Sequence, residues 1–193
     1  MNRFLDTLWN EHRSIAAVLH AMLFLVREQR TRGKPVDPKV FRAILYYLDV
    51  FPERMHHPKE EQYLFAAIRR KTAEANAALE ELAHEHEAGG HSIRDLEQAL
   101  LRYEEGGSAE FERFAQAVEA FVAGYREHMK KEEEGVIPVA RRVLSAQDWA
   151  EINAEWSAHR DPLAGAEAER DYDRLISRIV ELAPPPIGIG ASS

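Results

Sequence analysis

Residues 56–65 run His56-His57-Pro58-Lys59-Glu60-Glu61-Gln62-Tyr63-Leu64-Phe65, and residues 128–137 run His128-Met129-Lys130-Lys131-Glu132-Glu133-Glu134-Gly135-Val136-Ile137. Both stretches place a glutamate four residues after a histidine, follow it with a second glutamate, and return to apolar residues. On an α-helix residues four apart lie about 40° apart around the axis, so both side chains of each pair reach one point. Each pair also interrupts an apolar stripe that advances in steps of three and four residues, the signature of a helix with one buried face. In the first stretch the stripe is Phe41, Leu45, Leu48, Pro52, His56, Glu60, Tyr63 and Ala67. In the second it is Phe111, Phe114, Val118, Phe121, Tyr125, His128, Glu132, Gly135 and Val139.

Two more stripes have a single histidine at the equivalent place. One is Leu5, Leu8, His12, Ile15, Leu19, Met22 and Val26; the other is Ala75, Leu79, Leu82, His86, Gly89, Ile93, Leu96 and Leu100. Helix punctuation separates the four: Gly33 after Arg30 and Arg32, Asp37-Pro38 as a cap with a first-turn proline, Thr72, and Gly106-Gly107 before Ser108. The segments 2–32, 37–71, 73–105 and 108–144 are joined by short connections, which predicts an all-α, up-down-up-down four-helix bundle. Pro52 and Pro58 each delete a backbone hydrogen bond and are expected to kink the second helix without ending it. Ser145-Ala146-Gln147-Asp148 has the spacing of a capping motif and opens an additional C-terminal helix whose Trp149, Ile152 and Trp156 share a face. The expected organisation is a bundle over 1–145, a helical extension over 146–183 with an amphipathic stretch near 166–182, and a flexible tail over 184–193.

Counting from the shared turns brings the polar interruptions to one level. His12 lies 21 residues before Gly33 and His56 lies 19 after Asp37; His57 lies 14 before Lys71 and His86 14 after Thr72; His86 lies 20 before Gly106 and His128 20 after Ser108. At about 1.5 Å per residue, antiparallel neighbours with equal offsets meet at the same height within a helical turn. Burying ionised Glu60 and Glu132 without a partner costs several kcal/mol, and no lysine or arginine lies on the stripes near this layer. One or two divalent cations are the simplest compensation. Taken singly, His12, His86 and His128 read as readily as core histidines bonded to backbone carbonyls; taken with both glutamates they read as ligands. His57 stands about 100° off its stripe, as a further imidazole ligand or as a group behind the ligands. His20 reads as packing or channel lining, His84 and His91 as surface residues with His91 the stray candidate for an extra ligand, and His159 as structural. Glu61, Glu133 and Glu134 read as a charge run on a solvated face, balanced by Lys59, Lys130 and Lys131. Tyr47, Tyr63 and Tyr125 read as core aromatics.

Over residues 9–144 the chain resembles the hemerythrin-like, HHE cation-binding proteins, on Glu11-His12, His56-His57-Pro58-Lys59-Glu60-Glu61, Glu85-His86 and His128-Met129-Lys130-Lys131-Glu132-Glu133. The resemblance implies a non-haem di-iron centre: two Fe ions bridged by Glu60 and Glu132, with His12, His56, His86 and His128 as terminal ligands and His57 as the fifth imidazole. It also implies an open coordination position for O2, NO or peroxide. Two departures from the oxygen-carrying hemerythrins stand out. Their third helix supplies two histidines four residues apart, where this chain has Gly90 followed by His91, and their fourth-helix pair is His-x4-Asp rather than His-x3-Glu. Fewer nitrogen ligands lean toward sensing, peroxide or NO chemistry, or iron handling, and away from dedicated oxygen carriage.

Composition narrows the remaining classes. The 25 basic and 33 acidic residues leave a net charge of −8 with no basic block, so nucleic acid and anionic membranes are not expected partners. With no cysteine, any metal rests on nitrogen and oxygen. The most apolar run, Ala16 to Val26, is interrupted by His20 and falls short of the roughly 20 residues of a bilayer span. No cleavage-like site follows it, and a cytoplasmic location is the expectation. The extra C-terminal helices make a homodimer an expectation too. Three functions compete: a metal-based sensor or small-ligand carrier, which predicts no pocket for an organic substrate; a di-iron enzyme decomposing peroxide or reducing NO; and an iron store or donor, for which a further carboxylate cluster is missing. Zinc also suits the His/Glu set.

Overall fold

The computed structural model describes residues 3–158, 177 and 179–181. Among these, all regular structure is helical. Helix α1 (Arg3–Arg32) ends at Gly33, whose φ of 68° is a backbone conformation that a side chain disfavours. The second rod begins at Pro38, with the Asp37 carboxylate accepting from the Lys39 N–H at 2.9 Å. It comprises α2 (Pro38–Leu48), a π-helical stretch Asp49–His56, α3 (His57–Lys59), a second π-helical stretch Glu60–Phe65, and α4 (Ala66–Lys71). Helix α5 (Asn76–Gly106) forms the third rod. Helix α6 (Ser108–Lys130), a π-helical stretch Lys131–Val136 and α7 (Ile137–Val143) form the fourth. Helix α8 (Ala146–Ala158) follows.

The prolines widen the helix instead of simply kinking it. Pro52, Pro58 and Pro138 have no N–H to return to the carbonyl four residues back, and each lies within or beside a π-helical turn. There the bonds span five residues: His57 N–H to the Pro52 carbonyl, Ala66 to Glu61, Ile137 to Glu132. Each wide turn accommodates an additional residue and shifts the inward face. Gly135, expected on the fourth stripe, is therefore exposed, and Val136 and Ile137 are buried in its place. The third helix starts three residues later than its punctuation suggested, because Thr72 Oγ1 accepts from the Glu74 N–H at 3.1 Å and holds a turn ahead of Asn76.

Helix α5 packs along α6, α1 along α6, and α2 against α5. The core divides into two apolar clusters. One contains Ile15 to Val26 of α1, Val40 to Leu48, Ile93 to Tyr103 and Phe114 to Met129; the other contains Phe4 to Leu8, Tyr63 to Ile68, Leu79, Leu82 and Val136 to Leu144. The residues between them on all four rods are the histidines and glutamates of the polar layer. Helix α8 closes the second cluster: Trp156 meets Phe4 edge-on at 4.6 Å, Trp149 lies 6.0 Å from the same ring, and the Ser145–Asp148 capping box forms reciprocally. Trp149 and Trp156 thus cover the bundle end. Ile179 is buried in the first cluster. Residues 166–176, 178 and 182 of the amphipathic stretch, the tail and His159 lie outside the described residues.

Leu19→Ala, at a fully buried position one turn beyond Ile15, should cost about 2–5 kcal/mol through lost burial and a residual cavity. The expected observation is a lower urea midpoint with an unchanged slope.

Candidate metal centre

The two wide turns of the second rod point both members of the His56-His57 doublet inward, where an α-helix would turn them about 100° apart. His12, His56, His57, Glu60, His128 and Glu132 are all buried, and His86 reaches the same layer from α5. The structure brings together all seven residues singled out in the sequence. Donor atoms of His12, His56, Glu60 and Glu132 lie within 4.8 Å of one another, as do those of His57, His86 and His128. His20, His84 and His91 are exposed, so His20 is neither packing nor lining, and His91 stands outside the layer.

The imidazoles meet in pairs. His12 Nε2 lies 3.2 Å from His56 Nε2, and His86 Nε2 lies 3.2 Å from His128 Nε2. The carboxylates reach across both pairs. Glu60 turns Oε1 toward His56 (3.3 Å) and His12 (3.6 Å) and Oε2 toward His86 (3.7 Å). Glu132 turns Oε2 toward His12 (3.3 Å) and Oε1 toward His128 (3.4 Å) and His86 (3.6 Å).

All four of those oxygens are buried and make no hydrogen bond. Two acceptor-only groups in an apolar core call for a positive charge between them. The protons respond accordingly. Burial opposes charging His12, but the Glu132 and Glu60 carboxylates close to its Nε2 outweigh that and carry it up to about 11. Burial drives His56, His57 and His128 down. Burial and then the charge of Glu132 push Glu60 well up, while for Glu132 the nearby His12 and His86 imidazoles overcome burial and hold it down. The orphaned oxygens and the facing imidazole nitrogens fit one or two hard-to-borderline cations bound by nitrogen and oxygen.

A second ring of carboxylates aims the imidazoles. His12 Nδ1 donates to Glu133 at 2.9 Å, His56 Nδ1 to Glu11 at 2.9 Å, His86 Nδ1 to Glu61 at 3.0 Å, and His128 Nδ1 to Glu85 at 2.8 Å. A carboxylate can only accept, so Nδ1 carries a proton in each ring and Nε2 faces the layer. Glu61 and Glu133, expected on a solvated face, are thus partly buried orienting groups, whereas Glu134 is exposed. Lys131 bonds Glu81 and Glu85, and Lys59 sits 4.8 Å from the Trp156 ring centroid, so neither simply balances the acidic run. Each orienting glutamate adjoins a layer residue in sequence, in the doublets Glu11-His12, Glu60-Glu61, Glu85-His86 and Glu132-Glu133. Those doublets were the available signal.

Five histidines, two glutamates between them whose oxygens lack a hydrogen bond, and four carboxylates behind four of the rings form one constellation on four antiparallel rods. The model of the hemerythrin HHE cation binding domain matches residues 3–140. The chain belongs to that family. The match spans all four rods as far as Ala140 and ends before α8. Comparison with curated proteins and with solved structures returned no match. As a hemerythrin-family domain the chain carries a cation-binding fold, and its His/Glu groups are arranged to hold metal.

Around His57 the layer loses its internal symmetry. The 72-residue offset that relates His56 to His128 and Glu60 to Glu132 relates His57 to Met129. His57 Nε2 and the Tyr125 hydroxyl share a hydrogen bond at 3.0 Å, and His57 Nδ1 stands 3.5 Å from Glu53. Burial raises the Glu53 carboxyl to about 7. Tyr125 and Glu53 were not distinguished in the sequence from core and surface residues.

Glu133→Ala should free the His12 ring to rotate and weaken metal binding roughly 10–100-fold in a competitive chelator titration, while Glu134→Ala at an exposed neighbour leaves it unchanged.

Proposed function

We propose that this hemerythrin-family chain holds two iron ions and binds a small ligand, O2, NO or peroxide, in sensing or in iron and oxygen handling. The observation that supports this most directly is the reach of the two carboxylates across both imidazole pairs: Glu60 has one oxygen toward His12 and His56 and the other toward His86, and Glu132 has one toward His12 and the other toward His86 and His128. In this reading Glu60 and Glu132 bridge, His12 and His56 complete one metal's donors, and His57, His86 and His128 complete the other's. A pair of irons would supply a redox-active centre with affinity for diatomic ligands and peroxide.

The chain's own residues set the conditions. Glu11, Glu61, Glu85 and Glu133 lock the four imidazoles in one tautomer and orientation. The two apolar clusters shield the layer from solvent above and below. The unequal donor sets, with three imidazoles on one side and two on the other, favour exchange of a small ligand over tight, symmetric closure. A second reading, an enzyme decomposing peroxide or reducing NO, is favoured by Tyr125 and Glu53. Both place an exchangeable proton beside His57, where a reacting ligand would need one.

Protein purified with iron should carry two irons per chain by elemental analysis, and Glu60→Ala should lose two-metal binding while keeping its helical circular dichroism. Unchanged metal content in that variant would sink the assignment. Mixing the anaerobically reduced protein with O2 in a stopped-flow spectrometer separates the functions. Rapid autoxidation is expected here, and a long-lived oxygenated form would instead indicate a carrier.

A further inference from the structure

Between α5 and α6 lies a cavity of about 600 Å³ that ends against the polar layer. Its inner end is formed by Glu53, His57 and Tyr125, its walls include Leu96, Ala99, Ala117 and Phe121, and its outer end carries Arg102 and Arg113. O2, NO or peroxide would fill a small part of this space, which falls within the ~300–1,000 Å³ of pockets that enclose small organic molecules. It meets the layer at His57, where the internal symmetry breaks.

Two glycines line it. A Cβ at Gly89 would overlap the Glu53 carboxylate as it lies, so the bare position lets that carboxylate rest against α5. A Cβ at Gly124 would meet nothing within 4 Å. At the inner end the Glu53 side chain is only 8% exposed, and its Oε1 is buried without a hydrogen-bond partner. A buried acceptor in that position calls for a donor. Toward the outer end the lining carries the two guanidinium groups of Arg102 and Arg113, while its acids, Glu53, Glu85 and Asp95, lie nearer the layer along the chain, on a protein whose net charge is −8. Arg113 also contacts Glu110 at 3.3 Å, an exposed pair that a ligand carboxylate can displace at little cost. Along α6 the helix rise puts Arg113 about 18 Å from Tyr125.

We propose that this cavity binds an elongated organic carboxylate with a hydroxyl or similar donor at its far end. The carboxylate sits between Arg102 and Arg113, the apolar body lies along the alanine, leucine and phenylalanine walls, and the far hydroxyl donates to Glu53 Oε1 beside Tyr125. This deepens the proposed function and rests on it for the role of the neighbouring layer, so binding and metal content are measured separately.

The test is isothermal titration of 12-hydroxydodecanoate into the full chain after elemental analysis. Saturable one-to-one binding is expected, about tenfold weaker for the uncharged 1,12-dodecanediol and for the Arg102→Ala/Arg113→Ala double variant. Gly124→Phe should fill the cavity and abolish binding with metal content unchanged; Ala120→Leu, at an exposed lining position, serves the same purpose if the bulkier variant fails to fold. No saturable binding by metal-loaded protein, or equal affinity in the filled variant, would overturn the proposal. Binding by a chain shown to hold no iron would support the cavity assignment and count against the di-iron centre.

Discussion

Glu60 and Glu132 face each other across the interior of the bundle with all four carboxylate oxygens buried and none hydrogen-bonded. Ionised together they would repel each other without hydration, and burial beside Glu132 pushes Glu60 toward its neutral form, so both stay carboxylates only with positive charge between them. The surrounding groups are arranged to meet that demand: four imidazole nitrogens converge on the carboxylates, and His12 is held strongly basic by them. The apolar clusters above and below supply the burial that stabilises the rods and shield the layer on those two sides. Stability and metal affinity are therefore linked through one pair of side chains.

The layer needs more inward-facing residues in one short span than a regular α-helix can offer. Three prolines and the π-helical turns beside them solve this. Removing an N–H at positions 52, 58 and 138 frees carbonyls and favours the five-residue spacing that directs both His56 and His57 inward. The same geometric shift moves the fourth rod's inward face from Gly135 to Val136. Local chain chemistry and the demands of the site thus agree.

The two halves of the bundle repeat one design, with Glu11 and Glu133 behind one imidazole pair and Glu61 and Glu85 behind the other. The repeat fails at one place. His57 has a methionine for a counterpart, Tyr125 and Glu53 stand beside it, and the cavity between α5 and α6 meets the layer there. The cavity there is larger than a diatomic ligand fills, which is the ground for the proposal that a larger molecule binds beside the layer.

Much of this was legible in the chain itself. Apolar stripes with a 3.6-residue period, glycine and Asp-Pro punctuation, and equal offsets of His12, His56, His86 and His128 from shared turns determine a four-helix bundle with a polar layer at one height, because helix rise and short connections leave few alternatives. What α-helical counting could not supply was anything that depends on departures from α-helical geometry or on contacts between rods. His57 was left 100° off its face because the wide turn exists only once Pro52 and its neighbours are placed. Glu61 and Glu133 read as solvated because their partners, His86 and His12, come from other helices. The pairing of Tyr125 with His57 and the room that Gly89 makes for Glu53 likewise arise only when α5 and α6 pack against the second rod. Periodicity along one helix decides which face is buried; the identity of what that face meets is a property of the packed tertiary structure.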